Sequence, residues 1–369
     1  MLPASRLLSV LALVALTTMS STKSVAASNH DTLQYVEQAM ADYLALQANG
    51  STTTSAPTEA ATSTPIQTFD GPNCHFSAEN ATLLTVDCKT DHLRFIGLGD
   101  WGETSDTAGV LAVRDGVWAA AATGDYEYIL ALGDNYYENG VANVTDSQWH
   151  TSWYDRFEIG TKLTLPWLAI LGNHDWYGNA TAQIDYGLSG EDGSQFWMMP
   201  SKFFNIVNTV SSGDVLKMVV ADTMTLNSTE DFAWLEQEYT DYSAAMTLAI
   251  GHHHLYSEGG AGDNTNAPMV KLREMIDGND RVKAYIAGHE HDMQYLRANG
   301  TDYFQQGGGG RTISIEDHPG TEAEVVFYKA EYGFATYDID LANHTMDITY
   351  FVYSLDGEFV DELTFHRFY

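Results

Sequence analysis

Positive charge is scarce in this sequence. Only 17 of its 369 residues are Lys or Arg, against 50 Asp and Glu, which leaves a formal charge of −33. Phosphate backbones are held by clusters of Lys and Arg, and anionic lipid by polybasic segments, so neither nucleic acid nor a membrane surface is an expected partner. Beyond the N-terminus, no apolar run approaches the roughly 20 residues of a transmembrane helix. Cysteine occurs only at Cys74 and Cys88, an even count that predicts one disulfide closing a short loop in an oxidising compartment. No internal repeat is present. What the chain does have is apolar substance: a hydrophobic share of 44% and an aromatic share of 12% exceed those of a disordered acidic chain. The expectation is an acidic globular protein in which an anionic substrate must be met by strong local positive charge.

The N-terminus points to export. Arg6 precedes the apolar run Leu7–Leu16, and Val25-Ala26-Ala27 offers the small residues of a cleavage site, so residues 1–27 read as a signal peptide. Residues 28–48 carry Leu33, Val36, Met40, Tyr43 and Leu44 at helical spacing. Residues 49–66 are a Ser/Thr/Pro-rich linker that cannot bury a core. The folded domain is expected over 67–369. Asn-x-Ser/Thr acceptors at Asn49, Asn80, Asn143, Asn179, Asn227, Asn299 and Asn343 predict a glycosylated surface. Secretion, or delivery to an acidic lysosome-like compartment, is the expected location.

Within that domain, short apolar runs keep ending in the same chemistry. Leu93–Leu98 runs into Gly99-Asp100, Tyr128–Leu132 into Gly133-Asp134-Asn135, and Leu165–Leu171 into Gly172-Asn173-His174-Asp175. Met246–Ile250 runs into Gly251-His252, and Val282–Ala287 into Gly288-His289-Glu290-His291. Runs of this kind suit strands buried on both faces, and helix-like stretches such as Ala108–Ala122 and Phe232–Tyr242 lie between them. The alternation predicts a layered α/β fold, whose ligand crevice lies beyond the carboxyl ends of the strands. The alternating segments at Ala335–Leu341, Thr345–Val352 and Phe359–Phe365 predict an antiparallel meander that completes the fold.

The side chains gathered at those turns are a mixed oxygen and nitrogen set. Such a set suits transition metals better than calcium, and close metal pairs bridged by a carboxylate serve in-line attack at phosphorus. His289 and His291, two residues apart, share a face if the segment is extended.

The ordered phrases Gly99–Gly102 (GDWG), Gly133–Tyr137 (GDNYY), Gly172–Asp175 (GNHD), Gly251–His254 (GHHH) and Ala287–His291 (AGHEH) resemble those of the metallophosphoesterases, and within them the small purple acid phosphatases of the tartrate-resistant type. The resemblance runs from about His92 to Tyr353. It implies a four-layer α/β/β/α sandwich with mixed sheets and the metal site at strand carboxyl ends. Many metallophosphoesterases place a histidine ligand where this chain has Gly102; Tyr137 matches the tyrosine that replaces it, a phenolate donor suited to Fe(III).

Carried over residue by residue, Asp100, Asp134, Tyr137 and His291 would hold Fe(III). Asp134 would bridge to a second divalent metal (Fe, Zn or Mn) held by Asn173, His252 and His289. The activity implied is a monomeric acid phosphatase acting on small phosphate monoesters or phosphoproteins through a hydroxide generated at the metals. His174 would contact the phosphoryl group and protonate the leaving oxygen, with Asp175 fixing its ring. A further histidine of the mammalian members falls at Ala261 here, which leaves the acid role to His174 alone or shared with His253, His254 or Glu258. Between Ala221 and Phe232 the chain is short where mammalian members carry an exposed loop, so activation by proteolysis there is not expected. The alternatives are a phosphodiesterase or nucleotide pyrophosphatase of the same fold with two divalent metals, and a non-catalytic secreted iron-binding or interaction protein.

Overall fold

The computed structural model describes residues 67–313 and 319–369; the expected signal peptide, helical segment, linker and Asn49 lie outside the described residues. The strands are β1 (Gln67–Asp70), β2 (Cys74–Asn80), β3 (Leu83–Cys88), β4 (Leu93–Leu98), β5 (Tyr128–Ala131), β6 (Trp167–Ala169), β7 (Trp197–Met198), β8 (Phe203–Thr209) and β9 (Val215–Ala221). They continue with β10 (Met246–Ile250), β11 (Val282–Ala287), β12 (Met293–Ala298), β13 (Thr301–Gln306), β14 (Glu324–Lys329), β15 (Tyr332–Asp340), β16 (Thr345–Tyr353) and β17 (Phe359–Phe368). The principal helices are α1 (Ala108–Ala121), α2 (Asn173–Tyr177), α3 (Ala180–Tyr186), α4 (Thr229–Thr240) and α5 (Ala267–Ile276).

Two mixed sheets result. One has the order β17-β16-β15-β4-β5-β6-β7, the other β1-β2-β3-β8-β9-β10-β11-β13-β12-β14. β4 to β7 run parallel, as do β9, β10, β11 and β13. The expected C-terminal meander is β15-β16-β17, and it extends the first sheet by pairing antiparallel to β4 through β15. The disulfide forms as expected, joining Cys74 to Cys88 across the paired strands β2 and β3.

The sheets pack face to face because each offers an apolar inner face. Phe95 on β4 stacks between Tyr128 and Tyr337, at centroid distances of 5.2 and 4.5 Å. Phe76 and Phe304 of the other sheet meet those rings edge-on. Outside the seven-stranded sheet, Val113 and Val117 of α1 join a group that includes Trp101, Trp149, Trp153, Trp167 and Trp197. Outside the ten-stranded sheet, Phe232, Leu235 and Tyr239 of α4 pack with Met269, Leu272 and Ile276 of α5. The layers are therefore α/β/β/α, the four-layer sandwich that the resemblance implies.

Helix α4 begins three residues before its expected start. Ser228 accepts from the Asp231 amide at 3.0 Å, and the Asp231 carboxylate accepts from the Ser228 amide at 3.0 Å; this reciprocal cap favours an early start. Among the described residues, no helix is long and apolar enough to cross a membrane. The acceptor asparagines 143, 179, 227, 299 and 343 are exposed, and Asn80 is half-buried.

Phe95 is fully buried in the inter-sheet layer. Phe95→Ala is expected to lower unfolding free energy by about 3–5 kcal/mol, measured by chemical denaturation; a loss below about 1 kcal/mol would contradict the packing.

Candidate metal centre

Both sheets contribute to one pocket. β4, β5 and β6 of the seven-stranded sheet deliver Asp100, Asp134 and Asn173, while β10 and β11 of the ten-stranded sheet deliver His252, His289 and His291. Three of these residues hold left-handed backbone: Asp100 at φ 59°, Asp134 at φ 50° and His289 at φ 76°. That conformation is unfavourable for residues with a Cβ, and it clusters where a site demands a particular side-chain direction. Glycine makes room beside them. A Cβ at Gly172 would lie 2.2 Å from Asp134 Oδ1, and one at Gly288 would lie 2.5 Å from Asp100 Oδ2.

The side chains form two halves that meet at Asp134. In the first, the Tyr137 hydroxyl is 2.9 Å from Asp100 Oδ1, 3.0 Å from Asp134 Oδ2 and 3.3 Å from His291 Nε2. In the second, Asn173 Oδ1 is 3.1 Å from His252 Nε2 and 3.0 Å from His289 Nδ1, and those nitrogens are 3.3 Å apart. His252 Nε2 is 3.4 Å from Asp134 Oδ1.

With neutral rings, this arrangement is short of protons. His252 Nδ1 lies 2.8 Å from the Leu132 carbonyl and His291 Nδ1 lies 2.9 Å from that of Thr312. A carbonyl only accepts, so each Nδ1 carries the hydrogen, and in the neutral rings each Nε2 is a lone pair aimed inward. The Tyr137 hydroxyl has one proton for three acceptors. Lone pairs crowding two adjoining spaces fit a pair of cations, and the mixed nitrogen, carboxylate and phenol donors fit transition metals.

The charges tell the same story. Burial, with Asp134 adding to it, drives the Asp100 carboxyl well above its usual range although His252 opposes the shift. Burial and then the two carboxylates push Tyr137 upward as well. Burial would lower His252, yet Asp134 and Asp100 hold it raised to about 10. Burial lowers His291 to about 4 and His289 well below its usual value. Left to itself, the pocket takes a proton on His252; a bound cation supplies that charge instead and reverses the penalty on the anions.

Several expectations are modified. His289 and His291 do not share an extended face: the left-handed turn at His289 sends the two imidazoles to opposite halves of the pocket. Asp175 does not fix the His174 ring. His174 Nδ1 lies 2.6 Å from the Glu138 carbonyl, whereas the Asp175 carboxylate accepts from the amides of Gly172 and Asn135 and from the side chains of Asn135 and Gln183. Asp175 thus ties the β5 and β6 loops together. His253 Nδ1 is engaged by Thr223 Oγ1 at 2.7 Å and His254 is buried, while His174 Nε2 lies 3.9 Å from Asp134 Oδ2.

Gly102 shows why no side chain stands there. A Cβ at this position would lie 2.2 Å from the Asn135 carbonyl oxygen, so the turn that carries Tyr137 occupies the space of an alternative ligand. One neighbour escaped the sequence reading: the Arg311 guanidinium lies 4.7 Å from the Tyr137 ring centroid and is held by Glu103 at 2.7 Å and Glu138 at 2.5 Å. The run of glycines at 307–310 preceding it was the available signal.

Comparison with known proteins places the family and the fold. Residues 93–293 match the calcineurin-like phosphoesterase family model. Tartrate-resistant acid phosphatase type 5 of Oryctolagus cuniculus is 30% identical over 245 residues, covering 60% of this chain and 74% of that protein. Glideosome-associated protein 50 of Plasmodium falciparum is 25% identical over 76% of this chain and 77% of its own length; a solved structure of GAP50, described as the anchor in the inner membrane complex of Plasmodium, superposes with TM-score 0.62 at 23% identity over 74% of this chain and 88% of that one. The purple acid phosphatase PPD1 from yellow lupin seeds superposes with TM-score 0.55 at 17% identity over 80% of this chain and 56% of that one.

Burial, reinforced by the charge of Asp134, raises Asp175 from 3.8 to about 7. The folded state therefore binds this proton more tightly than the unfolded chain. The stabilisation is complete below about pH 4 and is lost as pH rises through about 7. In chelator-treated protein, Tm is expected to fall across that window, and Asp175→Asn is expected to flatten the fall; an unchanged pH slope in the variant would contradict this.

Proposed function

The chain belongs to the calcineurin-like phosphoesterase family, and from that premise we propose that it is an acid phosphatase hydrolysing phosphate monoesters at a centre of two cations. The observation that carries this reading is the convergence of seven donor side chains on two spaces sharing Asp134. Asp100, Tyr137, His291 and Asp134 would hold Fe(III). Asn173, His252, His289 and Asp134 would hold a second divalent ion. Two such ions would supply positive charge to the phosphoryl oxygens and lower the pKa of an attacking water.

The chain's own residues do the rest. The carbonyls of Leu132 and Thr312 fix His252 and His291 in the tautomers that leave Nε2 as the donor. His174, oriented by the Glu138 carbonyl and packed on the Tyr137 ring at 4.4 Å, presents Nε2 to the pocket. As the imidazolium, its Nε2–H hydrogen-bonds the phosphoryl group and gives that proton to the departing oxygen. The relatives named as tartrate-resistant acid phosphatases support the monoester reading, and the disulfide supports an oxidising compartment outside the cytosol.

A second reading rests on the resemblance to glideosome-associated protein 50: a binding protein that keeps the fold without turnover. The complete donor set favours catalysis. Hydrolysis of an aryl phosphate at pH 5 by the purified, metal-loaded protein is the deciding measurement; loaded protein that leaves the ester intact would overturn the enzyme reading.

Tyr137→Phe is expected to abolish the visible phenolate-to-Fe(III) absorption and to weaken iron retention, read by absorbance and elemental analysis; a colourless, fully active wild type would refute the assignment. His174→Ala is expected to lower kcat by about 10²–10⁴-fold with metal content unchanged. A rate within twofold of wild type would remove His174 from the chemistry.

A further inference from the structure

Next to His289 lies a second convergence of donors that the metal pair does not use. His254 is only 4% exposed, and its ring lies against that of His289, with centroids 5.5 Å apart and planes 24° from parallel. One of its ring nitrogens is engaged in a hydrogen bond with the Gly262 backbone that favours the charged ring, as a bond to a carbonyl does. Nδ1 has no hydrogen-bond partner among the described residues, so Nε2 makes that bond and carries the hydrogen. In the neutral ring, Nδ1 is therefore a bare lone pair inside the protein.

That lone pair is aimed at a carboxylate. His254 Nδ1 is 3.6 Å from Glu290 Oε1, too far for a hydrogen bond. It is, however, a natural spacing for two donors that each sit about 2.0–2.2 Å from a shared ion. One donor atom each from His254, His289 and Glu290 lies within 4.8 Å of the other two, the same proximity shown by Asp100, Asp134 and His252. Further oxygens crowd the same spot. A Cβ at Gly259 would fall 2.6 Å from Asp292 Oδ2, 2.9 Å from Glu290 Oε2 and 3.1 Å from Ser257 Oγ. A second buried carboxylate, Asp292, thus stands beside that of Glu290, positioned by the side-chain amides of Gln294 and Gln305 at 2.9 Å.

We propose that His254 and Glu290, with the Asp292 carboxylate beside them, form a further divalent-cation site next to the pair centred on Asp134. An imidazole lone pair beside carboxylates selects a borderline ion such as Zn²⁺ over calcium or magnesium, which take oxygen donors. Neither His254 nor Glu290 belongs to the Asp134 pair, so the site stands or falls separately from the phosphatase reading.

Equilibrium dialysis of the full chain against Zn²⁺ alone, followed by elemental analysis, tests it. Glu290→Gln and His254→Phe are each expected to hold one Zn²⁺ fewer per chain than wild type. Glu290→Gln keeps the side-chain shape, and a matching thermal unfolding curve shows that it is folded. Asp134→Asn is expected to weaken the pair and leave the His254–Glu290 ion in place, so failure of one site is distinguished from failure of the other. A Zn²⁺ count in folded Glu290→Gln equal to that of wild type overturns the proposal, whatever the total.

Discussion

One buried carboxylate, that of Asp134, has to face two sheets at once. Its Oδ2 meets Tyr137 and its Oδ1 meets His252, and these partners hang from strand ends in different halves of the sandwich. The backbone accepts a left-handed turn at Asp134 to allow it, Gly172 gives up a side chain to make room, and the His174 amide donates to Oδ1 at 2.8 Å. Site geometry and sheet packing are consequently one problem. The Tyr128 and Tyr337 rings of one sheet meet Phe76 and Phe304 of the other edge-on, and this packing holds together the sheets that carry Asp100 and His291.

Electrostatics explains why an acidic protein tolerates such a centre. Global charge repels an anionic substrate over long distances, but salt screens this beyond roughly 10 Å. Inside the pocket the balance is local: two buried carboxylates and a phenol compete for the one cationic side chain, His252, that burial alone would discharge. Such a pocket is unstable toward binding positive ions, a property set by a few ångströms of structure and not by overall composition. The rim carries a smaller version of the same balance, where Arg311 is shared between Glu103 and Glu138 while covering the face of Tyr137.

Much of this was legible in the residue order. The five glycine-polar turns, the strands before them and the C-terminal meander have local signatures, because a strand buried on both faces is a continuous apolar run and glycine marks a sharp turn. The disulfide followed from having two cysteines. What escaped has non-local causes. Main-chain carbonyls at Leu132, Glu138 and Thr312 orient the histidines, and a carbonyl has no letter of its own. The separation of His289 from His291 depends on one left-handed residue, whereas an alternating pattern assumes extended backbone. Asp175 sits beside His174 in the chain, yet on a helical first turn neighbours point apart, and it turned to the Asn135 loop. His254 is buried beside Glu290 and the His289 ring, neighbours that periodicity does not reveal.

Gly102 carries a last implication, for how readily the donor set can be rewritten. The oxygen of Asn135 fills the volume into which any larger residue would grow. The Asn135 amide and side chain are in turn pinned by Asp175, three links from the pocket floor. Exchanging tyrosine for an imidazole at the opposite corner therefore requires the whole β5 turn to be redrawn. A chain with this architecture is locked to its phenol by backbone, not merely by the identity of one side chain.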